Sequence, residues 1–230
     1  MATLGILGGM GPLASAAFLD TLYRLNTTEP EQQSPVCIVL SDPTFPDRTA
    51  AIEQGETRPL SVRLAAALER LVGMGADCVV IACVTIHHLL PGLPAALRER
   101  IISLIDLTVD EVLRAPRPLL LLTTSGTRAA RIFESHERWS SVERWVERPD
   151  AADQAELHDW IYRLKVNQPL DGCLAWLDEL ATKYGREGFI FGCTELHLLH
   201  KALAKDSEPN SGVVDPLWIA ARDLRRLLDR

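Results

Sequence analysis

Phe189-Ile190-Phe191-Gly192-Cys193-Thr194-Glu195-Leu196-His197 decides how the chain is read, because a similar stretch occurs earlier as Val79-Val80-Ile81-Ala82-Cys83-Val84-Thr85-Ile86-His87. Each is a short apolar run, a small residue, a cysteine, and a threonine within two positions. Each has a histidine four residues after the cysteine. A short apolar run reads as a buried strand, and the residues after each cysteine read as the start of a helix. Each thiol therefore belongs at the carboxyl end of a strand, the edge at which open α/β sheets bind ligands. Two such cysteines, one per half of the chain, predict one site between two similar lobes.

The surrounding sequence repeats as well. Thr3 to Leu7 reads as a strand running into Gly8-Gly9-Met10-Gly11-Pro12 and a helix to about Arg24. Its counterpart is Leu119 to Leu122, running into Thr123-Thr124-Ser125-Gly126-Thr127 and a helix. Gly11 lies 72 residues before Cys83, and Gly126 lies 67 before Cys193. Such spacing points to internal duplication. Glycines let backbone approach a ligand, and a helix start offers free N–H groups to an anion.

Between these landmarks strands alternate with helices, which predicts a parallel sheet in each lobe. Pro35 to Ser41 reads as a strand, followed by the proline-framed loop Asp42 to Thr49, of the length used for lids. Leu60, Leu64, Leu68 and Leu71 share one helical face. Ile101 to Ile105 reads as a strand, with a helix starting at Thr108. Helices are predicted over 153–164 and 170–184, a polar loop over Lys205 to Ser211, a strand at Val213 to Asp215, and a closing helix from Pro216 to Leu228. The expected division is a first lobe of residues 1–97 with 212–230 and a second of 98–211. The closing segment returns to the first lobe because chain termini tend to lie close together.

Composition narrows the function. The 230 residues are 47% hydrophobic, with a net charge of −7 and a pI near 5.4. No basic excess exists to neutralise nucleic-acid phosphates. No apolar run approaches the roughly 20 residues of a membrane span, and the first residues lack a signal-peptide pattern. The five cysteines form no CxxC pair, which argues against a metal or disulfide framework and for a cytoplasmic protein with reduced thiols. Cys37, Cys78 and Cys173 read as core residues. A helix N-terminus lowers a thiol's pKa, so Cys83 and Cys193 are suited to proton exchange. One thiol taking a proton from a carbon while the other delivers one to the opposite face would invert that carbon. His87 and His197 read as supports to the cysteines.

At these residues the chain resembles the cofactor-independent aspartate/glutamate racemase family. The matching pieces are GGMGP at 8–12, PDRT at 46–49, Ala82-Cys83, Ser125-Gly126-Thr127 and Gly192-Cys193-Thr194-Glu195-Leu196. GGMGP and PDRT lean towards its aspartate racemases. The resemblance implies a homodimeric amino-acid racemase acting on aspartate without pyridoxal phosphate or metal. It implies Cys83 and Cys193 as acid/bases, with Arg48 and Lys165 holding the substrate carboxylates. Met10, Gly11, Thr85, Thr127 and Thr194 would line the site. A guanidinium offers a planar fork to a carboxylate and an ammonium a point charge. One residue departs from the pattern: Val84 stands where the family has asparagine, and valine neither donates nor accepts a hydrogen bond. Alternatives are a broader aspartate/glutamate racemase, a maleate isomerase-like enzyme, and a ligand-binding member that has lost catalysis.

Overall fold

The structure, a computed structural model, describes residues 2–203 and 212–229. The predicted loop Lys205 to Ser211 lies outside the described residues. The chain is α/β, with two four-stranded parallel sheets flanked by helices. The first sheet has the order β2-β1-β3-β4, built from β1 (Thr3–Gly8), β2 (Val36–Ser41), β3 (Cys78–Ile81) and β4 (Ile101–Ile102). The second has the equivalent order β6-β5-β7-β8, built from β5 (Leu119–Thr123), β6 (Val146–Glu147), β7 (Phe189–Gly192) and β8 (Val213–Val214).

The helices follow the strands in the alternation the sequence predicts. The first five are α1 (Pro12–Asn26), α2 (Arg48–Glu53), α3 (Arg58–Gly73), α4 (Ala95–Arg98) and α5 (Leu104–Arg114). The rest are α6 (Ser125–Ala129), α7 (Ala151–Lys165), α8 (Asp171–Tyr184), α9 (His197–Leu203), α10 (Pro216–Arg222) and α11 (Leu224–Leu228). No helix among the described residues is long and apolar enough to cross a membrane.

Local chemistry sets the element boundaries. Pro12 starts α1, where its fixed φ suits the first turn and its missing N–H costs nothing. The Asp150 carboxylate caps α7, accepting from the N–H groups of Ala152 and Asp153 at 3.0 Å. Gly185 ends α8 at φ 56°, in the left-handed region that favours glycine. Leu60, Leu64, Leu68 and Leu71 bury one stripe of α3. The predicted strand to Ile105 is shorter in fact. Ser103 Oγ accepts from Asp106 N–H at 3.1 Å, so this cap begins α5 at Leu104, not at Thr108. Asp215 likewise ends β8 and caps α10 through the N–H groups of Leu217 and Trp218.

The expected lobe boundaries need correction at both crossovers. Ile101–Ile102, assigned to the second lobe, pairs with Val79–Val80 of the first sheet. Val213–Val214, assigned to the first lobe, pairs with Phe189–Ile190 of the second. Each two-residue strand extends the sheet of the strand before it. The helices after them, α5 and α10, pack on each other, and α10 also packs on α1. One apolar cluster consequently crosses the whole molecule. It contains Leu4, Phe18 and Val80 from one side and Leu121, Ile190 and Leu217 from the other. Separate clusters fill the outer layer of each lobe, against α3 in the first and against α7 and α8 in the second.

Candidate active site

Cys83 and Cys193 each follow the last residues of the strand next to the glycine-loop strand of their own sheet. The segment after each is a 3₁₀ helix, Thr85–Gly92 and Thr194–Leu196, where the sequence suggested an ordinary helix start. Both cysteines are only 4% exposed, and both line one narrow cavity between the lobes.

The glycine loops explain how the lobes come together. A Cβ at Gly11 would overlap the carboxylate of Glu195, from the opposite lobe. A Cβ at Gly126 would lie 2.7 Å from the Thr49 Cα, again across the interface. Each loop is bare so that the other lobe's site residues can approach it.

Of the residues expected at the site, the cavity collects Met10, Arg48, Cys83, Thr85, Lys165, Cys193 and Thr194. Gly11 and Thr127 are not among its lining residues. Gly11 seats Glu195, while Thr127 braces Thr85 through a 2.9 Å hydroxyl contact. Thr124 lines the cavity instead. The hydroxyls of Thr85, Thr124 and Thr127 form a closed triangle, with sides of 3.2, 2.9 and 3.0 Å. Thr194 Oγ1 donates to Ala82 O at 3.2 Å, tying the second cysteine's turn to the first. Val84 also lines the cavity.

Charge is distributed unevenly. Arg48 is 9% exposed. Its Nη2 donates to Met10 O at 3.0 Å and its Nη1 to Pro46 O at 3.1 Å, while Nε has no partner. Burial works against its charge, but electrostatic interaction with Cys83, Asp47 and Glu195 raises its pKa above the ordinary guanidinium value. Cys193 has the opposite surroundings. Its thiol donates to Glu195 Oε2 at 2.9 Å. Burial first, and then the Glu195 charge, push that thiol well above its usual pKa; Lys165 pulls the other way.

The PDRT loop is held by the second lobe. Asp47 Oδ1 caps α2 by accepting from Ala50 N–H at 2.9 Å. Its Oδ2 accepts from Tyr162 Oη at 2.7 Å and lies 4.0 Å from Lys165 Nζ. Lys165 Nζ lies 3.9 Å from the centre of the Tyr162 ring. Burial opposes ionisation of Asp47, yet the Ala50 N–H, the Tyr162 hydroxyl and the nearby cations hold its carboxyl below the usual range. Aspartate 47, Tyr162, Thr124 and Glu195 were not singled out from sequence as site residues. For Glu195 a signal existed: it stands two residues after the second cysteine, inside the Gly192-Cys193-Thr194-Glu195-Leu196 stretch that carries the resemblance.

The two histidines spaced alike from the cysteines do different work. His87 Nε2 accepts from Leu104 N–H at 3.2 Å, so its proton is on Nδ1, which donates to Cys83 O at 2.9 Å. Burial pushes its pKa down to about 4. His197 Nδ1 and His200 Nδ1 contact Asp215 Oδ2 at 2.5 and 2.9 Å, and His197 Nε2 meets Thr21 Oγ1 at 2.9 Å. These three residues are the one metal-ligand-like group among the described residues. Asp215 Oδ2 already takes both Nδ1 contacts, and the cluster ties α9 to α10 and α1. A larger, more open groove runs behind His87, past His136 and Asp106, and contains neither thiol.

Among solved structures, the aspartate racemase of Picrophilus torridus superposes with a TM-score of 0.78 at 23% identity, covering 98% of this chain and 94% of that one. An aspartate racemase homologue from Pyrococcus horikoshii OT3 gives 0.66 at 23% identity, with 100% of both chains covered. Glutamate racemase from Campylobacter jejuni gives 0.60 at 16%, covering 99% and 84%. At these identities the likeness bears on the fold. The sequence itself goes further: residues 7–224, spanning both glycine loops and both cysteine turns, match the Asp/Glu/hydantoin racemase family, and the chain belongs to it.

Proposed function

We propose that the chain is a cofactor-independent amino-acid racemase that interconverts L- and D-aspartate, with Cys83 and Cys193 as its two acid/base groups. The observation that carries this reading is a single cavity lined by both thiols, with a cation near one and a carboxylate bonded to the other. Arg48, which interacts with Cys83, supplies the positive charge that a thiolate base at that position requires. Burial and Glu195 keep Cys193 protonated. The proposed reaction starts from Cys83 as base and Cys193 as acid.

In the forward step the Cys83 thiolate takes the α-proton, and the C–H electron pair stays on the α-carbon. The Cys193 thiol gives its proton to the opposite face of that carbon. The products are the other enantiomer, a Cys83 thiol and a Cys193 thiolate, which is the charge state needed for the reverse reaction. Arg48 and Lys165 neutralise the two carboxylates and stabilise the carbanion as it develops. Thr85, Thr194 and the backbone at Met10 would lie around the α-carboxylate, and Thr127 fixes Thr85.

Incubation with L-aspartate in heavy water, without added cofactor, tests the reading. D-aspartate carrying α-deuterium is the expected product. Absence of D-aspartate, or its formation without deuterium, contradicts it. A cytoplasmic homodimer belongs to the same proposal, and sedimentation equilibrium measures the assembly. A second reading, a ligand-binding member that has lost catalysis, is favoured by Val84 in the cavity lining, and binding of aspartate without exchange of its α-proton would identify it.

A further inference from the structure

Two residues that line the cavity each keep one buried polar atom without a partner, and the two atoms have opposite character. Arg48 Nε is a donor on a cation; Glu195 Oε1 is an acceptor on a residue only 3% exposed. Leaving a charged group's hydrogen-bonding atom buried and unpaired is costly, so both point to what the cavity takes in. One ligand satisfies both only if it carries an anionic group and a donor group together.

The other side-chain acceptors around the cavity each have a partner already. Asp47 is taken by Tyr162 and the Ala50 N–H. Thr85, Thr124 and Thr127 satisfy one another, and Thr194 donates to Ala82 O. Val84 offers nothing. Glu195 Oε2 already receives the Cys193 thiol. Its Oε1 remains, and Gly11 leaves room for the carboxylate.

We infer that Glu195 Oε1 receives the α-ammonium group of the substrate and makes the cavity select zwitterionic dicarboxylates over dicarboxylates that lack nitrogen. The inference rests on the proposed racemase reading and deepens it. With Arg48 and Lys165 holding two carboxylates and Glu195 one ammonium, each charge of aspartate meets its opposite. The same contact couples binding to chemistry. An ammonium on Glu195 offsets the negative charge that holds the Cys193 proton, so the thiol becomes a better acid when an amino acid is bound.

The test compares affinities for aspartate and succinate, which differ by the α-ammonium, measured by calorimetry on the wild type, Glu195→Gln and Glu195→Asp. Gln keeps the shape and an acceptor for the thiol but loses the charge. Asp keeps the charge. Thermal melting confirms that each variant is folded. Wild type is expected to prefer aspartate by about tenfold or more, the value of a charge-assisted hydrogen bond. Glu195→Gln should bring the two ligands within a few-fold, and Glu195→Asp should restore a preference for aspartate. A purely structural hold on Cys193 would lower turnover and leave the binding ratio untouched. An unchanged ratio in Glu195→Gln, with aspartate still racemised by the wild type, overturns the Glu195 assignment alone. Failure of the wild type to bind either dicarboxylate overturns the racemase reading and this inference together.

Discussion

The turn at Cys83 and the turn at Cys193 occupy equivalent places in their sheets and meet opposite charges. Both follow equivalent strands of equivalent sheets, and both enter a 3₁₀ helix. The difference lies in what each cysteine meets. Arg48 interacts with Cys83, whereas Cys193 hydrogen-bonds to Glu195. Duplication supplies two thiols with mirrored placement; the side chains beside them remove the symmetry. On the proposed mechanism this difference is what makes one thiol a base and the other an acid at the start of a turnover.

Removing either thiol breaks the comparison most severely. Cys83→Ala and Cys193→Ala should each lower racemisation by about 10²–10⁴-fold or more, the usual contribution of a positioned acid or base. Each variant should still exchange the α-proton of one enantiomer, and the two should differ in which. Chiral chromatography and deuterium incorporation read both effects. Racemisation at the wild-type rate by either variant ends the two-base account.

Changing the cation beside Cys83 should cost nearly as much. Arg48→Ala is expected to reduce kcat/KM for aspartate by about 10²–10³-fold, as loss of a preorganised charge does elsewhere. Arg48→Lys keeps the charge and loses the fork, so it should fall between the two. The measurement is kcat/KM for L-aspartate, L-glutamate and L-alanine. Alanine turned over as well as aspartate, or an aspartate preference that survives Arg48→Ala, overturns Arg48 as the selector.

The repeat made the duplicated sheets and both cysteine positions legible, because a run such as Leu119–Leu122 states its burial on its own. β4 and β8 were assigned to the wrong lobes for a physical reason. A two-residue strand has no periodicity, and its pairing partner is chosen by tertiary structure. At the site, Arg48 came from the resemblance carried by PDRT at 46–49, and it lines the cavity. The clasp on Asp47 was not, since Tyr162 lies 115 residues away in sequence and only packing brings them together. Nor does any spacing in the sequence reveal that one oxygen of Glu195 is used and the other spare.

The two histidines extend the contrast between the turns to stability. His87 is held neutral, with its pKa lowered from 6.5 to about 4. The unfolded chain therefore binds a proton more readily than the folded one in that window. The stabilisation is fully present above pH 6.5 and is lost as pH falls towards 4, by about 3 kcal/mol in all. Asp47 and Asp215, whose carboxyls are held below the usual range, give up their contributions at lower pH. Denaturant titrations between pH 7 and pH 4 should show the decline in wild type and a flatter profile in His87→Asn. An equally steep decline in the variant assigns the proton to another group.

The smallest expected effect concerns how the second lobe holds the loop that carries Arg48. Tyr162→Phe removes one hydrogen bond to Asp47 and keeps the ring beneath the Lys165 ammonium. Asp47 keeps its bond to Ala50 N–H, so α2 stays capped. The loop that brings Arg48 to Cys83 loses one fastening to the opposite lobe, while the thiols and Glu195 are untouched. A net loss of about 1 kcal/mol follows for one such bond, and KM for aspartate should rise about fivefold with kcat nearly constant. Asp47→Asn tests whether the bond itself is responsible. If Tyr162 acts through Asp47, the double variant should be little worse than Asp47→Asn alone. Additive losses would mean that Tyr162 acts through Lys165, and the fastening would belong to the cation rather than to the loop.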